Sequence, residues 1–463
     1  MALTQLKTGA IADDAVTTDK LANAINTARD ANTAKTTNAT HTGDVTGATG
    51  LTIADNAVTL AKMAGGTDGQ IITYDASGDP VAVGPGTDGQ VLTSTGAGSP
   101  PAFEDVPASG RAYNLIINGA MKIAQRGTSS SATGNAFLTL DRFRLTANGY
   151  DEMLTQEQAD VASGTTPYNL GFRKCFKVTN GNQNSGAGAA DYARIGYAIE
   201  AQDLATSGWN YTSASSYITF QFWIKSSVAQ SFKVEFYSDD SPKQVYSMDT
   251  GSLSADTWTK VTKTIPGNSN LTFNNDVGEG IHIRWLPFFG TNYTDNSVTE
   301  DAWASYSSTT RTKDNTSTWW TTDDATFELT GVQLEVGNTA SDFAHEDINT
   351  TLRKCQRYCW RFGMVDNAFI FGGIMGSTTN ARMLAKFPVP MRANPTISIN
   401  ALKVDGEVSG SVETVNSVDG TNFNSDFGGR IVLACDASTV DAGASVMLYT
   451  QSSSGYIQGD SEL

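Results

Sequence analysis

The chain has 463 residues, of which 31 are Lys or Arg and 48 are Asp or Glu, so its formal net charge is −17. This balance argues against bare DNA or RNA as the main partner, because nucleic-acid binding needs a basic surface that attracts phosphates. Hydrophobic residues make up 39% of the chain and charged residues 17%, which excludes a charge-driven disordered protein and predicts at least one large core within about two to four domains.

Histidine and cysteine are both scarce. The histidines are His41, His282 and His345, and their wide separation argues against a multi-histidine metal site. We expect no metal and no cofactor. We expect the four cysteines to be reduced and packed in cores: Cys175, Cys355, Cys359 and Cys435. The first residues lack the basic and apolar regions of a signal peptide. The sequence contains no run of about 18 apolar residues, so it predicts no membrane-spanning helix.

Residues 1–111 are rich in Ala, Thr, Gly and Asp and contain two internal repeats. The sequence IADDAVT at 11–17 returns as IADNAVT at 53–59, and GTDGQI at 66–71 returns as GTDGQV at 86–91. Each Asp-Gly of the second repeat predicts a turn that leads into a short strand, at 71–74 and at 91–94. Units so poor in large apolar residues do not bury a core alone, so they predict either an intertwined oligomeric stalk or a flexible linker.

Residues 112–346 have the composition of a globular β domain. Apolar and polar side chains alternate over 217–224, 232–237 and 281–285, which predicts half-buried strands. In the first of these, Phe220 and Phe222 share one face and Tyr217 and Trp223 share the other, where they either bind a ligand or contact another chain. Strands of this kind, separated by turn clusters, predict an antiparallel β-sandwich.

Residues 347–363 change to a helical pattern. Leu352, Cys355, Cys359 and Phe362 lie on one helical face, and the sequence predicts a connecting helix that begins at Asp347 or Asn349 and ends at Gly363. Its basic side is either solvated or paired with carboxylates. Residues 364–463 predict a small C-terminal β domain, with proline-broken edge strands at 387–392 and 395–399 and short strands at 430–434 and 446–449.

Several motifs together resemble one known family. The motifs at 114–119 (NLIING), 125–128 (QRGT) and 140–143 (LDRF) look like the opening of the jelly-roll domain of bacteriophage tail fibres and related receptor-binding proteins. The strand pair 220–225 and 258–265 is similar to the carbohydrate-binding-module sandwich within that domain. The segment 331–337 (GVQLEVG), followed by Phe343 and by 355–358 (CQRY), is similar to its closing motif. The N-terminal repeats resemble those of marine and cyanobacterial phage fibres.

The resemblance implies a mainly β, elongated homotrimeric fibre. Its parts would be a repeat-built N-terminal stalk, a jelly-roll β-sandwich over 112–346, one short helix over 347–363 and a small C-terminal β tip domain over 364–463. Within the stalk, segment 1–65 would attach to the phage tail or to an adaptor protein, and segment 66–111 would form a shaft of short β-repeats. The C-terminal parts would point towards the host cell.

The search for chemistry favours binding over catalysis. Tailspike depolymerases, which are enzymatic relatives of the family, use two carboxylates in a groove, and the spacing of Asp and Glu selects no such pair here. The pair Asp323-Asp324 is either a solvated turn or a Ca²⁺ ligand. Four aromatic residues in the long polar stretch between Trp285 and Phe327 are candidates for stacking on sugar rings, with packing as the alternative: Trp303, Tyr306, Trp319 and Trp320. Weaker candidates lie in the tip domain: Phe423, Phe427, Tyr449 and Tyr456.

We therefore expect a structural fibre protein of a phage virion, synthesised in the cytoplasm of the host bacterium, that binds a cell-surface glycan or other receptor without catalysis. Three chains would make weak single sites effective through avidity. We expect the protein neither to bind nucleic acid nor to insert into a membrane. Two alternatives stay open, which are a polysaccharide depolymerase tailspike and a head or collar decoration fibre.

Overall fold

The computed structural model describes residues 23–36, 45–46, 52–53, 65–88, 90–105, 113–131, 136–406, 412–436 and 440–463. The chain forms two compact units, Met1–Val106 and Pro107–Leu463. Within the described ranges, no helix is both long enough and apolar enough to cross a membrane.

The described part of the first unit consists of one helix and three two-stranded hairpins. The helix, which the sequence analysis did not predict, is α1 (Asn23–Thr36). The hairpins pair β1 (Val45–Thr46) with β2 (Thr52–Ile53), β3 (Ile71–Tyr74) with β4 (Pro80–Val83), and β5 (Gln90–Thr93) with β6 (Ala102–Asp105). Apart from Ile53, both copies of the IAD-type repeat lie outside the described residues.

The second repeat forms the same turn twice. In the first copy the side-chain oxygen of Gln70 accepts a hydrogen bond from the backbone N–H of Thr67 at 2.7 Å. In the second copy Gln90 accepts from Thr87 at 2.9 Å. The strands predicted after these turns are confirmed as β3 and β5.

The second unit contains a β-sandwich of two six-stranded sheets. We call sheet A the order β15-β12-β18-β10-β9-β7 and sheet B the order β17-β14-β13-β16-β11-β8. The strands are β7 (Ser129–Ser130), β8 (Arg144–Asn148), β9 (Thr155–Asp160), β10 (Lys174–Thr179), β11 (Tyr192–Glu200), β12 (Tyr217–Ser226), β13 (Lys233–Ser238), β14 (Gln244–Asp249), β15 (Thr259–Pro266), β16 (Glu279–Phe289), β17 (Trp303–Ser305) and β18 (Thr326–Val336). Two short helices connect them, α2 (Thr166–Asn169) and α3 (Ala201–Ala205).

Aromatic rings from both sheets meet in the core of the sandwich. The Phe220 ring of β12 lies 5.0 Å from Phe236 of β13 and 5.7 Å from Trp285 of β16, centroid to centroid. The alternation predicted for 217–224 is confirmed, because its inward residues have no exposed surface. The predicted partnership of segments 220–225 and 258–265 is also confirmed, as the antiparallel pairing of β12 with β15.

The outer face of sheet B is covered around Glu235, although alternation predicted a half-buried strand. Glu235 of β13 points away from the core but has no exposed surface. Its carboxylate accepts hydrogen bonds from Arg311, in the stretch between β17 and β18, and from Arg284 of β16 at 3.3 Å. Ion pairing therefore draws part of the long polar stretch down onto this face.

The predicted helix is shorter than expected. Helix α4 (Ile348–Gln356) begins at Asp347, whose side chain accepts hydrogen bonds from the N–H groups of Asn349 and Thr350. The prediction that it runs to Gly363 is wrong, because Cys359–Gly363 forms a strand, β19. Cys359 and Phe362 therefore pack from a strand. All four cysteines are free and buried, as expected.

The C-terminal part contains a closed six-stranded sheet and a three-stranded sheet. The closed sheet has the order β20-β21-β25-β24-β23-β26, and β19-β27-β22 forms the other. The strands are β20 (Phe369–Ser377), β21 (Asn380–Lys386), β22 (Thr396–Asn400), β23 (Leu402–Gly406), β24 (Val412–Ser425), β25 (Gly428–Cys435), β26 (Ser445–Thr450) and β27 (Tyr456–Asp460). The strand predicted at 387–392 is wrong, since this segment is irregular and buries Phe387 and Met391.

Buried ion pairs join the sandwich to the C-terminal part. Arg357, just after α4, donates to Glu200 of β11 through two nitrogen atoms, each at 2.8 Å. Glu462, just after β27, pairs with Arg126 at 3.2 Å and with Arg142. The sequence left open whether the basic side of the helical segment is solvated or paired with carboxylates, and Arg357 is paired with a carboxylate.

Candidate functional site

The four aromatic residues predicted to stack on sugars do not form one surface. Trp319 and Trp320 have no exposed surface. The indole N–H of Trp319 donates to the carbonyl of Thr326, and the Trp320 ring stacks on Phe288 at 5.3 Å. Their predicted role in stacking on a glycan is therefore wrong for this structure, because both rings are used for packing.

Trp303 and Tyr306 are half-buried and lie on or beside the edge strand β17 of sheet B. The indole N–H of Trp303 donates to the carbonyl of Pro266 at 2.7 Å, and its ring packs 5.4 Å from Tyr246. The Tyr306 ring lies 5.6 Å from Tyr237. Both side chains mainly hold the long stretch against sheet B.

An aromatic pocket opens instead on the outer face of sheet A. It encloses a cavity of about 280 Å³, at the small end of ligand pockets and sized for one sugar ring rather than a long chain segment. We call it the aromatic pocket, and its lining residues are Leu170, Phe172, Gln221, Trp223, Lys260, Gly331, Asp342, Phe343 and His345.

Three separate parts of the chain bring rings to this pocket. Trp223 points outward from β12 and is half-buried. Phe172 comes from the turn before β10, and its ring meets that of Phe343 edge to face at 4.8 Å. The His345 ring lies 5.0 Å from Phe172 and 4.8 Å from Phe343. Phe172 is only 1% exposed, so the accessible aromatic surface comes from Trp223 and Phe343, and the imidazole of His345 adds a polar edge.

Gly331 forms the floor of the pocket, where a residue with a side chain would not fit. Its φ of +61° is in the left-handed region that glycine adopts without steric cost. A Cβ atom at this position would lie 2.8 Å from the Phe172 ring and 3.0 Å from the Trp223 ring. A register shift between β12 and β18, between Gln221 and Trp223, accompanies this residue. The irregularity therefore lets both rings approach the sheet.

The wall made by residues 341–345 is fixed by polar side chains of sheet A. The carboxylate of Glu335 accepts from the backbone N–H of Ser341 at 2.9 Å and from its hydroxyl at 2.5 Å. Gln333 accepts from the N–H of Ala344 at 2.8 Å, and Gln221 donates to the carbonyl of Ser341 at 2.7 Å. The imidazole of His345 is hydrogen bonded to the carbonyl of Leu170 at 2.8 Å. These hydrogen bonds fix the position of this wall of the pocket.

The rim combines charge with exposed apolar surface. Lys260 and Asp342 are exposed, and Leu170 is 53% exposed. On the other side of segment 341–347 a polar cleft of about 500 Å³ shares Asp342 and His345 with the pocket and includes the exposed ring of Tyr113. An aromatic wall with polar groups at its rim suits the C–H face and hydroxyl groups of a sugar.

Within the part of the chain that the structure describes, no group of three or more His, Cys, Asp or Glu side chains is placed to hold a metal ion. Asp323 and Asp324, which the sequence analysis considered as a Ca²⁺ ligand pair, are exposed residues near the start of β18. Of the weaker tip candidates, Phe423 packs 5.2 Å from Phe387 and Tyr449 packs 5.8 Å from Phe369.

Of the four rings that line the pocket, two carried a signal in the sequence and two did not. Alternation along β12 identified Trp223 as outward, and Phe343 belongs to the closing motif of the resemblance. Phe172 and His345 carried no such signal, since each follows a short irregular segment. The useful clue was Gly331 inside an otherwise strand-like run, which marks a bulge or a close approach of other groups.

No family model matches the chain, and no curated protein matches it closely enough to serve as a relative. Several solved structures share part of its architecture. A tailspike protein 4 enzymatically active domain from bacteriophage CBA120 is 9% identical, with a TM-score of 0.26, and the match covers 48% of this chain but 21% of that one. A putative sugar binding protein from Bacteroides thetaiotaomicron is 11% identical over 48% of this chain and 100% of that one, with a TM-score of 0.26.

A tandem pair of family 22 carbohydrate-binding modules from Paenibacillus barcinonensis is 10% identical, covering 77% of this chain and 98% of that one, with a TM-score of 0.24. Likenesses with such low TM-scores carry no argument about function. The functional argument therefore rests on the residues of this chain.

Proposed function

We propose that this protein is a glycan-binding structural protein of a phage virion, and that the aromatic pocket is where it holds a sugar of the host cell surface. The observation that carries the proposal is the cavity on sheet A, where the half-buried rings of Trp223 and Phe343 are accessible and the buried ring of Phe172 supports them from below. Sugar rings stack on such surfaces through their C–H faces while polar groups at the rim fix their orientation. Binding without catalysis is part of the proposal.

The proposal extends to a homotrimeric tail fibre. Support comes from the motif resemblance and from the β3–β4 and β5–β6 hairpins, which leave apolar side chains exposed when one chain is considered alone. Ile72 is 58% exposed, Tyr74 66% and Leu92 44%. Exposed apolar surface of this kind marks contacts with other chains. In this proposal segment 1–65 attaches to the tail or its adaptor.

Substituting Trp223 tests the pocket directly. W223A in the full chain removes the central ring, and we expect binding to an array of bacterial envelope polysaccharides to weaken about tenfold or more, which corresponds to one lost stacking contact. F343A is expected to weaken binding in the same direction. Bio-layer interferometry on polysaccharides that the unmodified protein captures gives the affinities, and thermal unfolding confirms that each variant is folded.

W303A is the matched control, because Trp303 is also half-buried but lies at the edge of sheet B. Binding should survive in W303A. Loss of binding in W303A with retention in W223A would place the site at Trp303 and Tyr306, as the sequence predicted, and would refute the aromatic pocket. Shortening of the captured polysaccharide during incubation would favour the depolymerase alternative instead.

A further inference from the structure

The outer face of sheet B carries a group of arginines that the aromatic pocket does not use. Arg144 of β8 faces Gly196 of β11, which in turn faces Arg284 of β16 in the strand register. Arg194 is two residues before Gly196 and so points to the same face. Side chains directly opposite or diagonal on neighbouring strands are within reach of one another. We call Arg144, Arg194 and Arg284 the arginine patch.

Two of these guanidinium groups have no acidic partner. The side chains of Arg144 and Arg194 are partly exposed, and within the described residues neither guanidinium group forms an ion pair or a hydrogen bond. Each guanidinium lies over an aromatic ring, Arg144 at 5.2 Å from the Phe137 centroid and Arg194 at 4.7 Å from the Tyr192 centroid. Both therefore keep their donors available.

The third arginine is buried and incompletely satisfied. Arg284 is 8% exposed and donates to Glu235 at 3.3 Å and to the Tyr237 hydroxyl at 2.9 Å. Its Nε atom is buried without a hydrogen-bond partner in the described structure. A buried donor left unpaired costs free energy, which a bound acceptor would offset.

Positive charge exceeds negative charge on this face. The charged groups around the patch are the carboxylates of Glu235 and Glu279 and the guanidinium of Arg311, with the imidazole of His282 beside them. Burial, together with the charges of Arg284 and Arg311, lowers the pKa of Arg194 to about 10. An excess of arginine on one face of a chain with a net charge of −17 is not a consequence of composition.

We propose that the arginine patch is a second binding site, on the sheet opposite the aromatic pocket, for an acidic sugar whose carboxylate is held by Arg144 and Arg194. A planar guanidinium matches a carboxylate through paired hydrogen bonds. The neighbouring rings of Phe137 and Tyr192, both half-buried, offer apolar contact to the sugar ring. This site is independent of the proposed function of the aromatic pocket.

The test uses the full chain and three probes. Isothermal titration calorimetry should show binding of a galacturonic acid trisaccharide that weakens as NaCl is raised, because the contact is between charges. R144Q and R194Q should each weaken it about tenfold, the effect of losing one charge-assisted hydrogen bond. R430Q is the control, since Arg430 is an exposed arginine of β25 in the C-terminal part, and it should leave the affinity unchanged.

Three results would overturn the proposal. The first is absence of trisaccharide binding, or equal affinity in R144Q, R194Q and the unmodified chain. The second is equal binding, in the W223A variant, of the acidic trisaccharide and of inorganic phosphate or a neutral galactose trisaccharide, which would show a patch without selectivity for acidic sugars. The third is a lower mass in solution for R194Q, which would mean that carboxylates of a second copy occupy the patch. W223A distinguishes the two sites, because it should leave trisaccharide binding unchanged.

Discussion

His282 is a neutral base enclosed on the outer face of sheet B, and it makes the protein sensitive to acid. It is 2% exposed and is surrounded by Tyr237, Glu279, Arg284 and Arg144. Burial lowers its pKa from 6.5 to about 4, although Glu279 acts in the opposite direction. The unfolded chain therefore binds more protons than the folded chain between these values, so stability falls as the pH drops through this window.

Because of His282, we expect the free energy of unfolding to fall by about 2 kcal/mol when the pH is lowered from 7.5 to 5. Urea unfolding at the two pH values measures this decrease. In H282Q the free energy of unfolding should fall by less over the same pH range. Burial raises the pKa of Asp141 to about 6, so that group acts with the opposite sign. It is present in both proteins, and its effect cancels in the comparison. An equal loss in both proteins would contradict the assignment to His282.

At the scale of elements, the burial of inward strand faces could be predicted from the sequence, whereas the contacts made by outward faces could not. Alternation identified the buried residues of β12 correctly because the sandwich core selects apolar side chains at every second position. The same pattern gave no indication that Glu235 is buried, since its partner Arg311 is 76 residues later in the chain. Helix α4 stops early because Cys359–Gly363 pairs with β27, and tertiary pairing overrides a local helical pattern.

The candidate site follows the same rule. The position of Trp223 on the outward face was evident from period two alone. The partners that turn this single ring into a pocket come from before β10 and after β18. The second of these segments, 341–345, is held by hydrogen bonds that its backbone N–H groups donate to Gln333 and Glu335. Contacts made over such separations leave no periodic signal in a sequence, so the pocket itself could not be predicted.

Strand β27 and the residues that follow it depend on one buried carboxylate. The side chain of Glu462 is 3% exposed and pairs with Arg126 and Arg142, which are equally buried. In E462Q both guanidinium groups lose a charged partner, so we expect the unfolding free energy to fall by about 3 to 5 kcal/mol. Chemical denaturation followed by tryptophan fluorescence measures this change, because Trp360 lies in β19, the strand paired with β27.

The matched control for this change is E157Q. Glu157 pairs with Lys177 at 2.9 Å, but both side chains are about one-third exposed, at 33% and 29%. A pair in that environment contributes less than about 1 kcal/mol. If E462Q and E157Q lost equal unfolding free energy, the result would contradict a stabilising role for the buried ion pairs between the sandwich and the C-terminal part.

At the scale of the whole molecule, the hairpins of the first unit make the strongest case for association between chains. β3 and β5 expose apolar residues on both faces, including Ile72 and Leu92. A two-stranded hairpin alone is marginally stable in water, and burial of such side chains against other copies stabilises it at about 25 cal/mol per Å². We therefore expect the full chain to have about three times its 49.1 kDa mass by multi-angle light scattering.

The double variant I72S/L92S is expected to shift that mass towards the single chain, because it removes apolar surface from both hairpins while leaving the turns at Gln70 and Gln90 intact. T73S/T93S is the control, since it substitutes neighbouring residues of the same strands and leaves Ile72 and Leu92 in place. A single-chain mass for the unmodified protein at micromolar concentration would contradict the homotrimer. The aromatic pocket and the arginine patch, which belong to the second unit, would then have to bind without avidity from neighbouring copies.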